Sequence, residues 1–330
     1  METKRYEIIL EAETPIAHHS ETLGNSAILM RRKVRGPDGA WADVPIVTGD
    51  TMRHGLREAA SYALLDAAGL LDGHALTEGA LRLLFAGGMV TGRGDASVIK
   101  LDGYRELCEL LPHLEILGGC VDNRVVPGTL AVEDAVLVCE ESAHLLPAWI
   151  VEWAREHRGP LDTCRAHVEE VQRVRMDPTL SPEKRKLLSA GEAARVEGRL
   201  LASEAAHAED DAVAREGSKS SMLPRRYEEV CVGSLFAWRV TATLYGDLAA
   251  DTFDTMVCAF LANARVGGKR GTGCGLLRAV VGNEVAVLRP RDAHTGVDFG
   301  ALAPARGRLF REHVHARADR LKAFLSTVNA

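Results

Sequence analysis

Five glycines and two cations occur within the nine residues from Gly267 to Gly275, which read Gly-Gly-Lys-Arg-Gly-Thr-Gly-Cys-Gly. Clustered glycines usually mark a loop that needs positive φ, or one that another backbone or a ligand approaches closely. Lys269 and Arg270 indicate that this ligand is anionic. The alternative from the residues alone is a helix C-cap at Gly267 followed by a flexible turn.

The elements flanking this loop exclude the common nucleotide-binding loops. Apolar residues at helical spacing predict a helix over 252–264, with Asp251 or Thr252 as N-cap, and residues 276–281 predict a strand. A Walker A loop places its lysine after the glycines and continues into a helix, and the dinucleotide fingerprint runs from strand to helix. The order here is helix to strand, so we predict no nucleotide cofactor. We expect no cofactor of another kind either.

Two adjacent histidines, His18 and His19, follow a predicted strand over 5–12. Neighbouring positions point in different directions and no third ligand lies at a usual spacing, so contact with a phosphate or a base is favoured over metal binding. The basic run 31–35 comes next. On a strand, alternation would place every second residue from Arg31 onward on one side.

The start of a predicted helix over 50–64 is a third candidate anion site. Asp50 or Thr51 can cap this helix, and Arg53 and Arg57 lie four residues apart on one face. A helix N-terminus beside arginines is a natural phosphate site, because its first N–H groups have no partner within the helix. The alternative is that both arginines are solvated or paired with nearby carboxylates.

Length and composition limit the classes of protein to which the chain can belong. The chain has 330 residues, is 46% hydrophobic and carries a formal net charge of −6, which argues mildly against a nucleic-acid binder. However, cations cluster at 31–35, 184–186, 225–226 and 269–270, which weakens the argument from net charge. The seven scattered cysteines predict reduced thiols, and the charged start predicts neither a secretory signal nor a membrane span, so we expect a cytoplasmic protein.

The order of predicted elements indicates the fold class. Strand, helix and strand are followed by a second strand, helix and strand, with long inserts between them. This order is typical of a ferredoxin-like α+β sheet, which is also the scaffold of the RNA-recognition motif. A hairpin about Gly233, between strands 226–232 and 235–244, and a C-terminal amphipathic helix over 308–325 complete the prediction.

Two segments in this order resemble the signature regions of the CRISPR-associated RAMP superfamily. They are 44–57 (Val-Pro-Ile-Val-Thr-Gly-Asp-Thr-Met-Arg-His-Gly-Leu-Arg) and the glycine loop 267–275. The length and the long insert resemble the backbone ("Cas seven") group of that superfamily. Segments 111–119 and 126–128 further resemble the backbone subunit of type IV complexes.

The resemblance implies a noncatalytic subunit that polymerises along a CRISPR guide RNA (crRNA) in an effector for antiviral and anti-plasmid defence. Its partners would be crRNA, other copies of itself, a subunit at the guide's 5′ end, a large or small subunit, a helicase, and a DNA or RNA target recognised by guide pairing, with no membrane partner. The candidate RNA contacts are His18, His19, Ser20, Arg31, Arg32, Lys33, Thr51, Arg53, Arg57, Asn123, Arg124, Lys219, Met222, Gly267, Gly268, Lys269, Arg270, Gly271 and Thr272.

The same resemblance divides the chain into a palm, a helical insert and a thumb. The predicted boundaries are 1–65 for the first half of the palm with the basic ribbon, 66–128 for the helical insert, 129–176 for a palm strand and helix, 177–224 for the protruding thumb, 225–290 for the second half of the palm, and 291–330 for a C-terminal helical segment. Met222 or Leu223 would be a wedge that interrupts the guide–target duplex.

Catalysis is not expected. Type III relatives cleave target RNA with an aspartate in the loop after the first strand, and the matching loop 23–28 has none, although Asp38 and Asp43 lie not far beyond. A competing interpretation is a RAMP ribonuclease that cleaves guide precursor or target RNA, with His18 or His19 as the acid–base group. A metabolic α+β enzyme without an RNA partner is the third alternative.

Overall fold

The computed structural model describes residues 1–23, 26–72, 76–89, 97–121, 123–173, 181–208, 225–286, 294–297 and 307–328. The strands are β1 (Glu2–Ala12), β2 (His19–Leu23), β3 (Ser26–Leu29), β4 (Arg31–Arg35), β5 (Trp41–Val47), β6 (Ser97–Val98), β7 (Gly119–Val121), β8 (Arg124–Val126), β9 (Leu130–Val132), β10 (Ala135–Leu137), β11 (Val168–Arg173), β12 (Arg225–Val230), β13 (Leu235–Leu244), β14 (Ala264–Arg265), β15 (Leu276–Ala286) and β16 (His294–Val297). The α-helices are α1 (Gly49–Ala67), α2 (Glu78–Leu81), α3 (Leu101–Leu110), α4 (Pro112–Leu117), α5 (Ala148–Arg158), α6 (Pro182–Arg185), α7 (Ala190–Ala208), α8 (Asp247–Leu261), α9 (Arg308–His315) and α10 (Ala318–Leu325).

The central sheet confirms the predicted α+β, ferredoxin-like class. Among the described residues it has nine strands, and its main path runs β14–β15–β1–β13–β10–β5–β4. Strands β1, β10, β13 and β15 with helices α1 and α8 follow the βαββαβ order, and in space the fourth strand lies beside the first, then the third and the second. The pairings of β1 with β13 and with β15 are antiparallel.

Both faces of the sheet are covered, which explains the unbroken apolar run in β1. Ile8 and Leu10 face α1 and α8 in the main core, whereas Ile9 lies in a smaller core with Ile150 of α5. The two largest aromatic side chains of β13, Phe236 and Trp238, also lie in the main core. Burying each such side chain contributes about 1.5–3 kcal/mol.

A buried ion pair ties the first strand to α8. Lys4 Nζ lies 2.7 Å from Asp254 Oδ1, and the hydroxyl of Tyr6 donates to the same oxygen at 2.7 Å. Breaking such a pair by removing one partner is strongly destabilising, because it leaves an uncompensated charge in the interior. The pair therefore fixes the register of α8 on β1, and α8 leads directly toward the glycine loop.

A second core joins the helical insert to the C-terminal helices. Its buried members include Leu64, Leu83, Leu114, Phe310 and Leu321. The predicted helix over 308–325 is instead two helices, α9 and α10, because the chain turns at 316–317.

Asp251 has a different role from the one predicted. Helix α8 begins at Asp247 after Gly246, so neither Asp251 nor Thr252 is its N-cap. The Asp251 carboxylate accepts the N–H groups of Gly307 at 2.7 Å and Phe310 at 2.9 Å, and it thereby caps the start of α9.

The predicted hairpin about Gly233 is wrong. Strand β13 has both edges occupied, by β1 on one side and by β9 and β10 on the other, so β12 cannot pair with it. Strand β12 pairs in parallel with β3 in a separate sheet. The palm strand predicted at the start of 129–176 is divided into β9 and β10.

The chain forms two compact units: residues 1–20, 29–169 and 229–330 make the first, and 21–28 with 170–228 make the second. The second unit draws on a sheet of order β11–β12–β3–β2 and on helices α6 and α7. Arg173 lies over the ring of Tyr227, 5.8 Å from its centroid. The predicted thumb wedge, at Met222 or Leu223, lies outside the described residues.

All seven cysteines are free, as the scattered spacing predicted. None of the helices in the described ranges combines the length and apolar character needed to cross a membrane.

Candidate nucleic-acid interface

The glycine loop is held against the segment that follows β1. The N–H of Gly268 donates to the carbonyl of Ala17 at 2.8 Å, and the N–H of Gly275 donates to the carbonyl of Pro15 at 2.9 Å. At Gly267, with a φ of 71°, a Cβ would lie 2.9 Å from the Ala17 carbonyl oxygen. The first glycine is therefore required by close backbone approach, as the clustering indicated.

The alternative interpretation of Gly267 as a helix C-cap is wrong. Helix α8 ends at Leu261, and the short strand β14 separates it from the loop. The loop is an ordered turn, because Lys269 adopts a left-handed conformation with a φ of 58° and its carbonyl accepts the N–H of Thr272 at 2.9 Å. Arg270 and Gly271 are exposed on this turn.

The start of α1 lies beside this loop, but its cap differs from the predicted one. Thr48, not Asp50 or Thr51, is the N-cap: its hydroxyl accepts the N–H of Thr51 at 3.4 Å, and its carbonyl accepts the N–H of Met52 at 3.0 Å. The N–H of Gly49 donates to Asp134 Oδ1 at 2.8 Å. Two of the first N–H groups of the helix, those of Gly49 and Thr51, thus have side-chain partners and are not free to receive a phosphate.

His18 joins the two elements. The N–H of Thr48 donates to His18 Nε2 at 3.3 Å, so that nitrogen is an acceptor and carries no proton. Burial lowers the pKa of His18, and the neighbouring His19 lowers it further, whereas Asp134 acts in the opposite direction. The ring is therefore neutral near pH 7.

These parts surround one shallow pocket of about 360 Å³. Its lining residues are His18, Asp50, Thr51, His54, Gly267 and Arg270. Four of them, His18, Thr51, Gly267 and Arg270, are predicted contact residues, and they come from three separate regions of the sequence. Arg270 Nη1 also lies 3.6 Å from Glu58 Oε2, with both side chains more than one-third exposed, so this ion pair is weak and exchangeable.

Arg57 does not fit the predicted role of a phosphate contact. It is 8% exposed, and its Nη2 donates to the carbonyls of Gly118 at 3.0 Å and Leu117 at 3.4 Å. Burial, with a smaller contribution from Arg53, lowers the pKa of Arg57 to about 10. Arg53 is half-buried and donates to the carbonyls of Leu117 and Leu130. Both arginines therefore support the chain around 117–130, and neither is paired with a carboxylate of the described residues as the alternative proposed.

Arg32 is the exposed side chain that joins the basic ribbon to the site. Its Nε lies 2.8 Å from Asp134 Oδ2, and this contact raises the pKa of Arg32. Asp134 consequently links the ribbon to the N–H of Gly49. Sequence reasoning missed Asp134 and Thr48. A threonine directly before the helix that starts at Gly49 was an available signal for the second, and nothing local indicated the first.

The other predicted residues lie as follows. His19 begins β2 and is half-buried, and Ser20 beside it is exposed. Arg31 and Lys33 lie on β4, Asn123 adopts a φ of 61° before β8, and Arg124 is exposed at the start of that strand. Gly268 and Thr272 are exposed on the glycine loop. Lys219 and Met222 lie outside the described residues. Across the ranges that the structure describes, no group of three or more His, Cys, Asp or Glu side chains could hold a metal ion.

Comparison with known proteins bears on the fold alone. No family model and no curated protein matches the sequence. Among solved structures, a chain of a Type IV-B CRISPR complex has a similar fold, with a TM-score of 0.51 and 18% sequence identity over 88% of this chain and 93% of that chain. The similarity covers most of both chains.

Proposed function

We propose that this chain is a crRNA-binding backbone subunit of a type IV-like CRISPR complex, and that its copies assemble along the guide. One observation carries the proposal. The two segments that resemble the RAMP signature regions, 44–57 and 267–275, are far apart in sequence and line a single pocket. The similar fold of a chain from a Type IV-B CRISPR complex supports the same proposal over most of the chain's length.

The chemistry of the pocket suits a sugar–phosphate chain better than a nucleotide cofactor. A subunit that holds guides of any sequence must contact phosphates and sugars and leave the base edges free. Arg270 supplies charge, Thr51 and His54 supply polar groups, and the open form of the pocket admits an extended strand. Asp50 offsets the charge of Arg270 within the lining, so Lys269 and the cations of the ribbon must make the site positive overall.

The partners follow from the same proposal. They are crRNA, further copies of the chain, a subunit at the guide's 5′ end, a large or small subunit and a helicase, with a target nucleic acid bound by pairing. The cell compartment would be the cytoplasm.

We further propose that the chain does not cleave RNA. The competing ribonuclease would use His18 or His19, and the position of neutral His18 in the pocket is the observation in its favour. Against it, the Nε2 of His18 already accepts the N–H of Thr48, so that atom is not available as a general base.

Incubation of the purified full-length chain with labelled guide precursor tests both proposals. We expect salt-sensitive binding and an uncut precursor, because the pocket offers cations and hydrogen-bond groups but no available base at His18. Binding should be nearly the same for guides of unrelated sequence. Cleavage that disappears in His18→Ala or His19→Ala would establish ribonuclease activity instead. Absence of binding would contradict the proposed role as a guide-binding subunit.

A further inference from the structure

The ribbon formed by β4 and β5 has one face that lies outside the pocket of the proposed guide site, although it carries two of the predicted contacts, Arg31 and Lys33. Pairing places Arg35 opposite Trp41, Lys33 opposite Asp43 and Arg31 opposite Pro45, so alternation brings these six residues to the same face. The other face carries Val34 and Val44, which are buried in the main core. Lys33, Arg35, Trp41 and Asp43 are exposed, whereas Pro45 at the other end is buried, so the Trp41 end of this face is directed outward.

Trp41 is the unusual residue of this face. It is 66% exposed, whereas Trp238 is buried and Trp149 and Trp153 are partly buried. A single exposed aromatic residue needs no explanation of its own, but an exposed indole beside a cation offers a flat surface on which a planar group can stack.

The tip of the ribbon holds Trp41 in a fixed position. The N–H of Gly36 donates to the carbonyl of Ala40 at 2.7 Å, and the N–H of Ala40 donates to Asp38 Oδ1 at 3.0 Å. The guanidinium of Arg35 lies over the indole, 6.0 Å from the ring centroid. A cation on one side of the ring leaves the other side open to a flat group.

The cations of β4 have a second explanation, which does not extend to Trp41. Strand β4 ends the main path of the sheet among the described strands, and charged side chains on an edge strand prevent pairing with other molecules. An exposed tryptophan has the opposite effect, because its apolar surface favours association with other molecules. A ligand that is both anionic and flat accounts for Trp41 and the cations together.

We propose that this outward face binds single-stranded nucleic acid, with one base stacked on Trp41 and adjacent phosphates held by Arg35 and Lys33. Base–aromatic stacking beside cations is how proteins hold single strands without reading their sequence. A protein partner fits less well, because the centre of a protein interface is depleted of charge and Trp41 is surrounded by charged side chains. The contact goes beyond the proposed guide site, since it uses none of the residues that line the pocket.

The test is tryptophan fluorescence of the full-length chain, stripped of nucleic acid, during titration with poly(U) RNA and with poly(dT) DNA. We expect quenching in the natural sequence, because Trp41 is the most exposed indole among the described residues. Trp41→Leu should abolish the quenching and weaken binding about tenfold, and Trp41→Tyr should recover most of the affinity. Stronger quenching by poly(U) would show that this face binds RNA in preference to DNA, and stronger quenching by poly(dT) would show the reverse.

Tyr245→Leu is the matched control, since Tyr245 is an exposed aromatic residue at 56% exposure outside the ribbon, and it should bind like the natural sequence. The Lys269→Ala/Arg270→Ala variant should keep the quenching even where guide binding fails, which separates this proposal from the proposed function. Unchanged quenching and affinity in Trp41→Leu would overturn the proposal. So would a Trp41→Leu variant that loses only self-association, because Trp41 would then be a protein contact.

Discussion

Replacing Lys269 and Arg270 together by alanine should weaken binding of guide RNA by about a hundredfold or more, because two contacts are lost and hydrogen bonds to charged groups contribute about 1.5–3 kcal/mol each. The loss should be the same for guides of any sequence. Two lost phosphate contacts should also reduce the slope of the logarithm of affinity against the logarithm of salt concentration by roughly 1.4. Filter binding across a range of salt concentrations measures both quantities.

The matched control is Arg308→Ala with Lys322→Ala, which removes two exposed cations from the C-terminal helices and gives the same net charge. Folding should be unaffected in either variant, since both side chains of the Arg270–Glu58 pair are more than one-third exposed and such pairs contribute little to stability. An equal loss in the control would mean that only total charge matters. Unchanged affinity and salt slope in the Lys269–Arg270 variant would mean that the glycines form a turn and that the guide binds elsewhere.

Gly275→Ala should disrupt the loop itself. Gly275 has a φ of 95°, and a Cβ there would lie 2.2 Å from the carbonyl oxygen of Val266, which is backbone and cannot move aside easily. We expect a loss of about 3 kcal/mol or more in the free energy of unfolding, because positive φ and a backbone collision act together. Denaturant unfolding measures the loss, and RNA binding should fall with it.

Gly271→Ala provides the comparison within the same loop. Gly271 has no positive φ, and a Cβ there would meet nothing within 4 Å. Its free energy of unfolding should stay within about 0.5 kcal/mol of the natural sequence. If Gly275→Ala is as stable as Gly271→Ala, the loop is not held against Val266 in the way described.

The parts of the fold that depend on local periodicity were predictable from sequence. The apolar stripe of α1 at Met52, Leu56 and Ala60 is buried, and β13 spans the predicted residues 235–244. The hairpin about Gly233 was not predictable in the same way, because its pairing depends on which strands already occupy the edges of β13. Local turn geometry gives no information about that competition.

The candidate site likewise has features that local sequence predicts and features that it does not. The glycine loop and the start of α1 could be located from their residues, because close approach and helix capping leave local signals. The role of Arg57 could not, since it depends on carbonyls of residues 117–118 that are some sixty positions away. His113 is similar: burial lowers its pKa to about 3, and only the packed structure reveals that it is enclosed.

Purification of the full-length chain from its native host, with and without nuclease treatment, tests the guide-binding proposal most directly. The ultraviolet absorbance spectrum reports bound nucleic acid, and the particle mass reports assembly. We expect a large particle that contains RNA and that becomes smaller when nuclease removes the exposed strand. A small RNA-free monomer that also ignores added guide RNA would contradict it.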